Sequence, residues 1–188
     1  MKLKNDIIGP YIRLRTATED DAEFILSLRL NPALNKFLHE TDPSVEKQKE
    51  WLRAKMDEEN DYHMIIESLN GEQLGVVALY DINPVDKTFE WGRWIVKPGA
   101  PKYTALESAL LCCELAFYHL GLDKCVVAPL RESERCVSFL MRFGSTTVRE
   151  DPEVICFEIT KEDFESIREK HWKFIQAKDE EQMEKAKP

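Results

Sequence analysis

The segment Lys97-Pro98-Gly99-Ala100-Pro101-Lys102-Tyr103-Thr104 has the residue types of an anion site. Before it, Phe89 to Val96 reads as a strand; after it, Thr104 to Leu120 reads as an apolar helix. A turn that ends on a helix N-terminus offers backbone N–H groups without intrahelical partners and the positive end of the helix dipole. Gly99 and the small Ala100 allow close backbone approach, Pro101 donates no N–H, and Lys102 adds charge. The N–H groups of Lys102, Tyr103, Thr104 and Ala105 are the expected cradle of a phosphorylated cofactor. A second strand follows at Lys124 to Ala128, then a helix that stops at Arg142-Phe143-Gly144. Two parallel strands joined by a helix can splay and admit the rest of the cofactor.

Other elements must hold that segment in place. Tyr11 to Arg15 alternates apolar and polar residues, as a half-buried strand does. Thr18-Glu19-Asp20-Asp21 reads as a helix start with Thr18 as cap, and Asn31-Pro32 interrupts the helix. A second helix is expected near Ser44, carrying Trp51, Leu52 and Met56. Tyr62 to Ser68 and Gln73 to Tyr80 form a hairpin across Asn70-Gly71, and Asn83-Pro84 to Lys87 is a further turn. Ser145 to Arg149 and Val154 to Ile159 are strands around Asp151-Pro152. Lys161 to Ala177 is a final amphipathic helix. One domain over residues 1–177 is expected, with a charged, frayed tail over 178–188. Antiparallel hairpins beside one strand–helix–strand crossover make a mixed α/β sheet.

A net charge of −9 disfavours nucleic acid as a partner. No run is long and apolar enough to span a bilayer, and Met1 to Pro10 lacks the apolar core of a signal peptide, so the expectation is a cytoplasmic protein without a membrane partner. The five cysteines show no metal-ligand spacing; buried reduced thiols and no metal are expected.

Four stretches together resemble the GNAT superfamily of acyl-CoA-dependent N-acetyltransferases over roughly residues 10 to 160. They are YIRLRTATEDDAEFILSLR, EQLGVVALYDI, FEWGRWIV and AFYHLGLDKCVVAPLRESERCVSFLMRFG, in that order. The resemblance implies a mostly antiparallel sheet of about seven strands, splayed between the fourth and fifth and flanked by helices, with the C-terminal helix as an addition. It implies acetyl-CoA as co-substrate, direct attack by a primary amine, and a fourth strand whose backbone, near Arg93 to Val96, holds pantetheine and polarises the thioester. On this likeness Trp94, Ile95, Val96, the loop residues Gly99, Ala100, Lys102, Tyr103, Thr104 and Ala105, and Ser133, Phe139 and Arg142 are cofactor-binding positions. Two departures stand out. The loop has few glycines, and Leu140 stands where many members place a tyrosine acid.

Acyl transfer to an amine needs a base for the ammonium proton, a polarised carbonyl and an exit for the thiolate. Glu90, at the acid position of FEWGRW, is the first candidate base, and Asp81 the alternative. Tyr103 or Tyr80 is the candidate replacement for the missing acid. Acceptor contacts are expected from the break after the first helix, at Arg29, Asn31 and His39, where an arginine suits phosphate or carboxylate. Trp91 and Trp94 fall on opposite faces of a regular strand, one in the core and one toward the acceptor. Trp51 reads as helix packing, and Cys136 as core.

The stretch LRLNPALNKFLHETDPSVEKQKEWL is similar to that of acetyltransferases acting on nucleotide-linked amino sugars, and to that of enzymes acting on ribosomal-protein N-termini. The first is the preferred acceptor, the second an alternative, and a non-catalytic acyl-CoA-binding module a third reading. The C-terminal helix could cap the sheet or join a homodimer.

Overall fold

The computed structural model describes the backbone of residues 1–185 and side chains of residues 1–175. Its strands are β1 (Ile7–Ile8), β2 (Ile12–Thr16), β3 (Tyr62–Ser68), β4 (Gln73–Asn83), β5 (Thr88–Val96), β6 (Lys124–Val127), β7 (Thr146–Glu150) and β8 (Ile155–Thr160). The helices are α1 (Ala22–Arg29), α2 (Val45–Asp57), α3 (Tyr103–Glu114), α4 (Glu134–Phe143) and α5 (Lys161–Lys185). The eight strands form one sheet in the order β1-β2-β3-β4-β5-β6-β8-β7. Only β5 and β6 pair in parallel; the other neighbours are antiparallel. The short β1 is one strand more than expected, so the splayed pair is β5 and β6. The C-terminal helix continues past Ala177 to Lys185, beyond the boundary expected for a frayed tail, and residues 186–188 lie outside the described residues.

Two apolar clusters lie on the two faces of the sheet. One gathers Leu14, Met64, Val77, Leu79, Phe89 and Trp91 under α3, α4 and α5. The other gathers Ile65, Val76 and Ile95 under α1 and α2. Alternation along each strand sorts its residues between the two.

Asp21 anchors the α1 side. Its buried carboxylate accepts from Arg15 at 2.8 and 2.7 Å, from the Thr18 N–H at 2.8 Å and from Gln73 at 2.6 Å. Thr18 and Asp21 together form a capping box, with Thr18 in the N-cap position expected of it. Ser44 does cap α2, accepting from the Lys47 N–H at 3.3 Å. The α3 helix ends in a turn of π-helix at Leu115–His119, and α4 ends on Gly144 at φ 116°, a left-handed cap.

Candidate active site

The ladder between β5 and β6 contains only Thr88↔Lys124 and Phe89↔Cys125. Beyond it the two strands part, and from Gly92 to Val96 the edge of β5 has no β6 partner. This is the splay expected from the sequence, and it exposes backbone polar groups that a bound pantetheine amide can pair.

β5 is also bulged. Gly92 pairs with Ala78, but Ile95 pairs with Val76, so β5 carries one residue more than β4 over that span. The extra residue is Arg93, at φ 47°. The bulge overturns the expectation that Trp91 and Trp94 face opposite ways. Their rings stack at 5.4 Å, and both belong to the core under α3 and α4. Phe139 packs on Trp94 at 4.7 Å and on Phe143 at 5.6 Å, forming an aromatic wall on that side of the splay. Trp91 is 3% exposed and lies in the core cluster under α3 and α4. The side chain of Ile95 is buried on the α1/α2 face, which leaves only its backbone to meet a cofactor.

A second bulge falls on β4, between Tyr80 and Asn83, with Asp81 at φ 49°. Between the two left-handed residues lies a cross-strand pair. The Tyr80 hydroxyl donates to Glu90 Oε1 at 2.6 Å. Tyr80 lies across Gly92, where any Cβ would strike its ring and hydroxyl. Glu90 is half-buried, and burial raises its pKa above the ordinary carboxylate value; the Tyr80 hydrogen bond opposes this and the Asp81 charge adds to it. Burial and the Glu90 bond push the Tyr80 hydroxyl upward, so it keeps its proton. Asp81 itself is exposed.

Around this pair is a polar group that sequence reasoning missed. The Arg93 guanidinium lies 4.4 Å from the Tyr80 ring centroid and donates to Asp61 at 2.8 and 2.7 Å. Lys55 reaches Asp61 at 3.0 Å. Trp51 is exposed rather than packed in the helix core, and its ring meets His63 edge-on at 5.0 Å. His63 is 6% exposed, and neither ring nitrogen has a partner among the described residues. Desolvation, then the Arg93 charge, lower its pKa to about 3, so the ring is neutral. One signal in the sequence pointed here. The apolar positions Phe89, Trp91, Trp94 and Val96 step by two, three and two, and the three marks an inserted residue.

Arg29 ends α1, where its Nε donates to Thr41 at 2.9 Å and one terminal nitrogen to the His39 carbonyl at 3.3 Å. His39 contributes that carbonyl, while its exposed ring faces solvent. Asn31 accepts from the Ala33 N–H at 2.9 Å and shapes the loop.

The loop expected to hold phosphate runs from Lys97 to Lys102. Gly99 adopts φ 83°, and open space lies where a Cβ would stand. No acidic side chain falls in the first turn of α3. The expected cradle is narrower than the sequence implies. The Ala100 N–H bonds Lys97 at 3.2 Å and the Thr104 N–H bonds Pro101 at 3.0 Å, so both are spent inside the turn. The Thr104 side chain is buried, whereas Lys102 is exposed and Ala105 half-buried on α3.

Other expected positions disperse. Tyr103 meets the Tyr11 ring at 4.7 Å, the two rings tilted, and packs against the α3/α5-side core. Ser133 is the N-cap residue of α4 and makes no side-chain cap. Arg142 is exposed at the other end of that helix, bonded back to the Ser138 carbonyl at 3.1 Å. Leu140 is buried and Cys136 packs on the core. No cluster of potential metal ligands occurs among the described residues, and no helix there is long and apolar enough to cross a membrane.

The acetyltransferase (GNAT) domain family matches residues 12–146. The apo structure of FdhC, described as a nucleotide-linked sugar GNAT, is 30% identical, with a TM-score of 0.82 over 92% of this chain and 99% of its own. A spermidine N-acetyltransferase from Vibrio cholerae, solved with CoA and spermine, is 18% identical, with a TM-score of 0.73 over 83% of this chain and 99% of its own. A GCN5-related N-acetyltransferase from Brucella melitensis is 17% identical, with a TM-score of 0.76 over 89% of this chain and 83% of its own. No curated protein matches the chain by sequence. The splayed parallel pair, the matched domain and the likeness to FdhC agree: this chain belongs to the GNAT acetyltransferase family and is an acyl-CoA N-acyltransferase.

Proposed function

We propose that this protein transfers an acetyl group from acetyl-CoA to the primary amine of a nucleotide-linked amino sugar, with Glu90 as general base. The observation that carries the chemistry is the Tyr80–Glu90 pair, held at 2.6 Å between two bulges beside the splay. The support for the acceptor is the 30% identity to FdhC along nearly the whole of both chains.

The amine arrives as an ammonium and cannot attack until it loses a proton. Glu90 accepts that proton, directly or through a water, and burial makes it a stronger base than an ordinary carboxylate. The neutral nitrogen attacks the thioester carbonyl, whose oxygen is polarised by backbone N–H on the open edge of β5. As the C–N bond forms and the C–S bond breaks, nitrogen sheds its second proton and the thiolate needs one. Leu140 offers no acid, so the Tyr80 hydroxyl, in line with Glu90, relays it.

The aromatic wall of Trp94 and Phe139 bounds the pantetheine arm, and Gly99, with Lys102 and the α3 N-terminus, meets the pyrophosphate. The test is release of free thiol from acetyl-CoA with a panel of amines. Turnover with nucleotide-linked amino sugars supports the reading. Turnover with N-terminal peptides alone moves the acceptor to protein and leaves the acyl-transfer chemistry standing.

A further inference from the structure

Three of the four half-buried arginines have carboxylate partners: Arg13 with Glu67, Arg15 with Asp21, and Arg93 with Asp61. Arg29 is the exception. It is half-buried, yet its only hydrogen bonds go to a hydroxyl and a carbonyl, and no carboxylate lies within salt-bridge distance among the described residues. A partly desolvated guanidinium without a counter-charge is costly unless an anion arrives to pair with it. The same side of the sheet holds a second unmet demand. His63 is more than nine-tenths buried, and neither of its ring nitrogens is partnered. Asp61 is held by both Arg93 and Lys55, and Lys55 also reaches Glu58, so Arg29 is the half-buried guanidinium on this side left without a carboxylate among the described residues.

We propose that Arg29 and His63 form an anion subsite that takes the diphosphate of the acceptor, Arg29 pairing with phosphate oxygens and His63 donating one ring N–H. This rests on the reading of the α1/α2 side as the acceptor side. The acceptor is then held at two positions. Glu90 and Tyr80 receive the amine, and Arg29 receives the anion. A polyamine is refused by the same feature, since its second cationic centre would meet Arg29 and Arg93.

The experiment is titration calorimetry of the CoA-saturated protein, so that the CoA pyrophosphate site is already filled, with uridine diphosphate and with inorganic pyrophosphate as probes. Both should bind the wild-type complex. Affinity should fall at least tenfold in Arg29→Gln and be partly restored in Arg29→Lys, with the CoA Kd unchanged in both. A parallel loss in His63→Phe places the imidazole in the same subsite. Equal affinity in wild type and Arg29→Gln, or no binding of either probe to the wild-type complex, overturns the subsite. Thiol release separates this from the broader reading. If free amino sugars turn over while diphosphates do not bind, the subsite is wrong and amine acetylation stands. If spermidine is the efficient acceptor, both the subsite and the acceptor reading fall.

Discussion

Glu90 and Tyr80 were both visible in the sequence as reactive side chains, but not as a pair. They stand ten positions apart across a turn, and whether they meet depends on register, which the two bulges set. Their coupling gives a signed prediction. Burial raises the Glu90 pKa, so kcat/KM should fall as pH drops through that raised value, because protonated Glu90 cannot accept from the ammonium. Tyr80 donates to the charged carboxylate and so holds its pKa down. Tyr80→Phe should therefore move the acid limb to higher pH, as read from a pH–rate profile; a limb that stays in place separates Tyr80 from the base. Asp61, Arg93 and His63 were not legible at this scale. Each looks ordinary in its own strand or turn, and only the third dimension brings them together.

The element that organises the site is β5, and its bulge explains both a success and an error of the sequence reading. The strand itself was legible from its apolar alternation, but regular alternation sends Trp91 and Trp94 to opposite faces. With Arg93 inserted they stack, and its guanidinium turns to the face that carries Tyr80 and Asp61. Arg93→Ala should lower stability by about 3 kcal/mol, as for a buried ion pair deprived of one partner. Asp61 is 3% exposed and would be left with Lys55 alone. Denaturant unfolding measures this, and a change within about 0.5 kcal/mol, the scale of an ordinary surface substitution, would show the bulge to be indifferent to its residue. On the next element, Gly99→Val forces a β-branched side chain into φ 83° and fills the open space above the loop. It should weaken acetyl-CoA binding by roughly tenfold, or ~1.4 kcal/mol. An unaltered Kd would mean that the loop does not contact the pyrophosphate.

Across the whole molecule, one carboxyl ties the central helix to the first long strand. Glu107 on α3 is 0% exposed; its Oε1 accepts from the Tyr11 N–H at 2.9 Å and the Ile12 N–H at 3.2 Å, and a Cβ at Gly9 would strike it. Burial raises its pKa to about 7. A carboxyl with a raised folded-state pKa binds its proton more tightly folded than unfolded, so its contribution is present in mild acid and is lost as pH rises through about 7. The span from the ordinary value of 4.5 corresponds to about 3 kcal/mol. Asp21 and Glu67, held below their ordinary values despite burial by arginine hydrogen bonds, work in the opposite sense and cost stability in stronger acid. Stability should peak in mild acid, and Glu107→Gln should flatten the alkaline side of that peak. A wild-type thermal midpoint that does not fall between pH 5 and 8 contradicts this assignment. The fold as a whole was largely legible, because alternation, turn residues and helix breakers are local. The extra strand β1 was not, since two residues carry too little pattern to read.

The proposed acyl transfer depends most directly on Glu90 as the base. The measurement is kcat/KM for a nucleotide-linked amino sugar across pH, by thiol release, in wild type and Glu90→Gln. The expected result is a loss of at least tenfold near neutrality, given that general bases typically contribute ~10²–10⁴-fold, together with disappearance of the acid limb. An undiminished rate with the same acid limb in Glu90→Gln would contradict it.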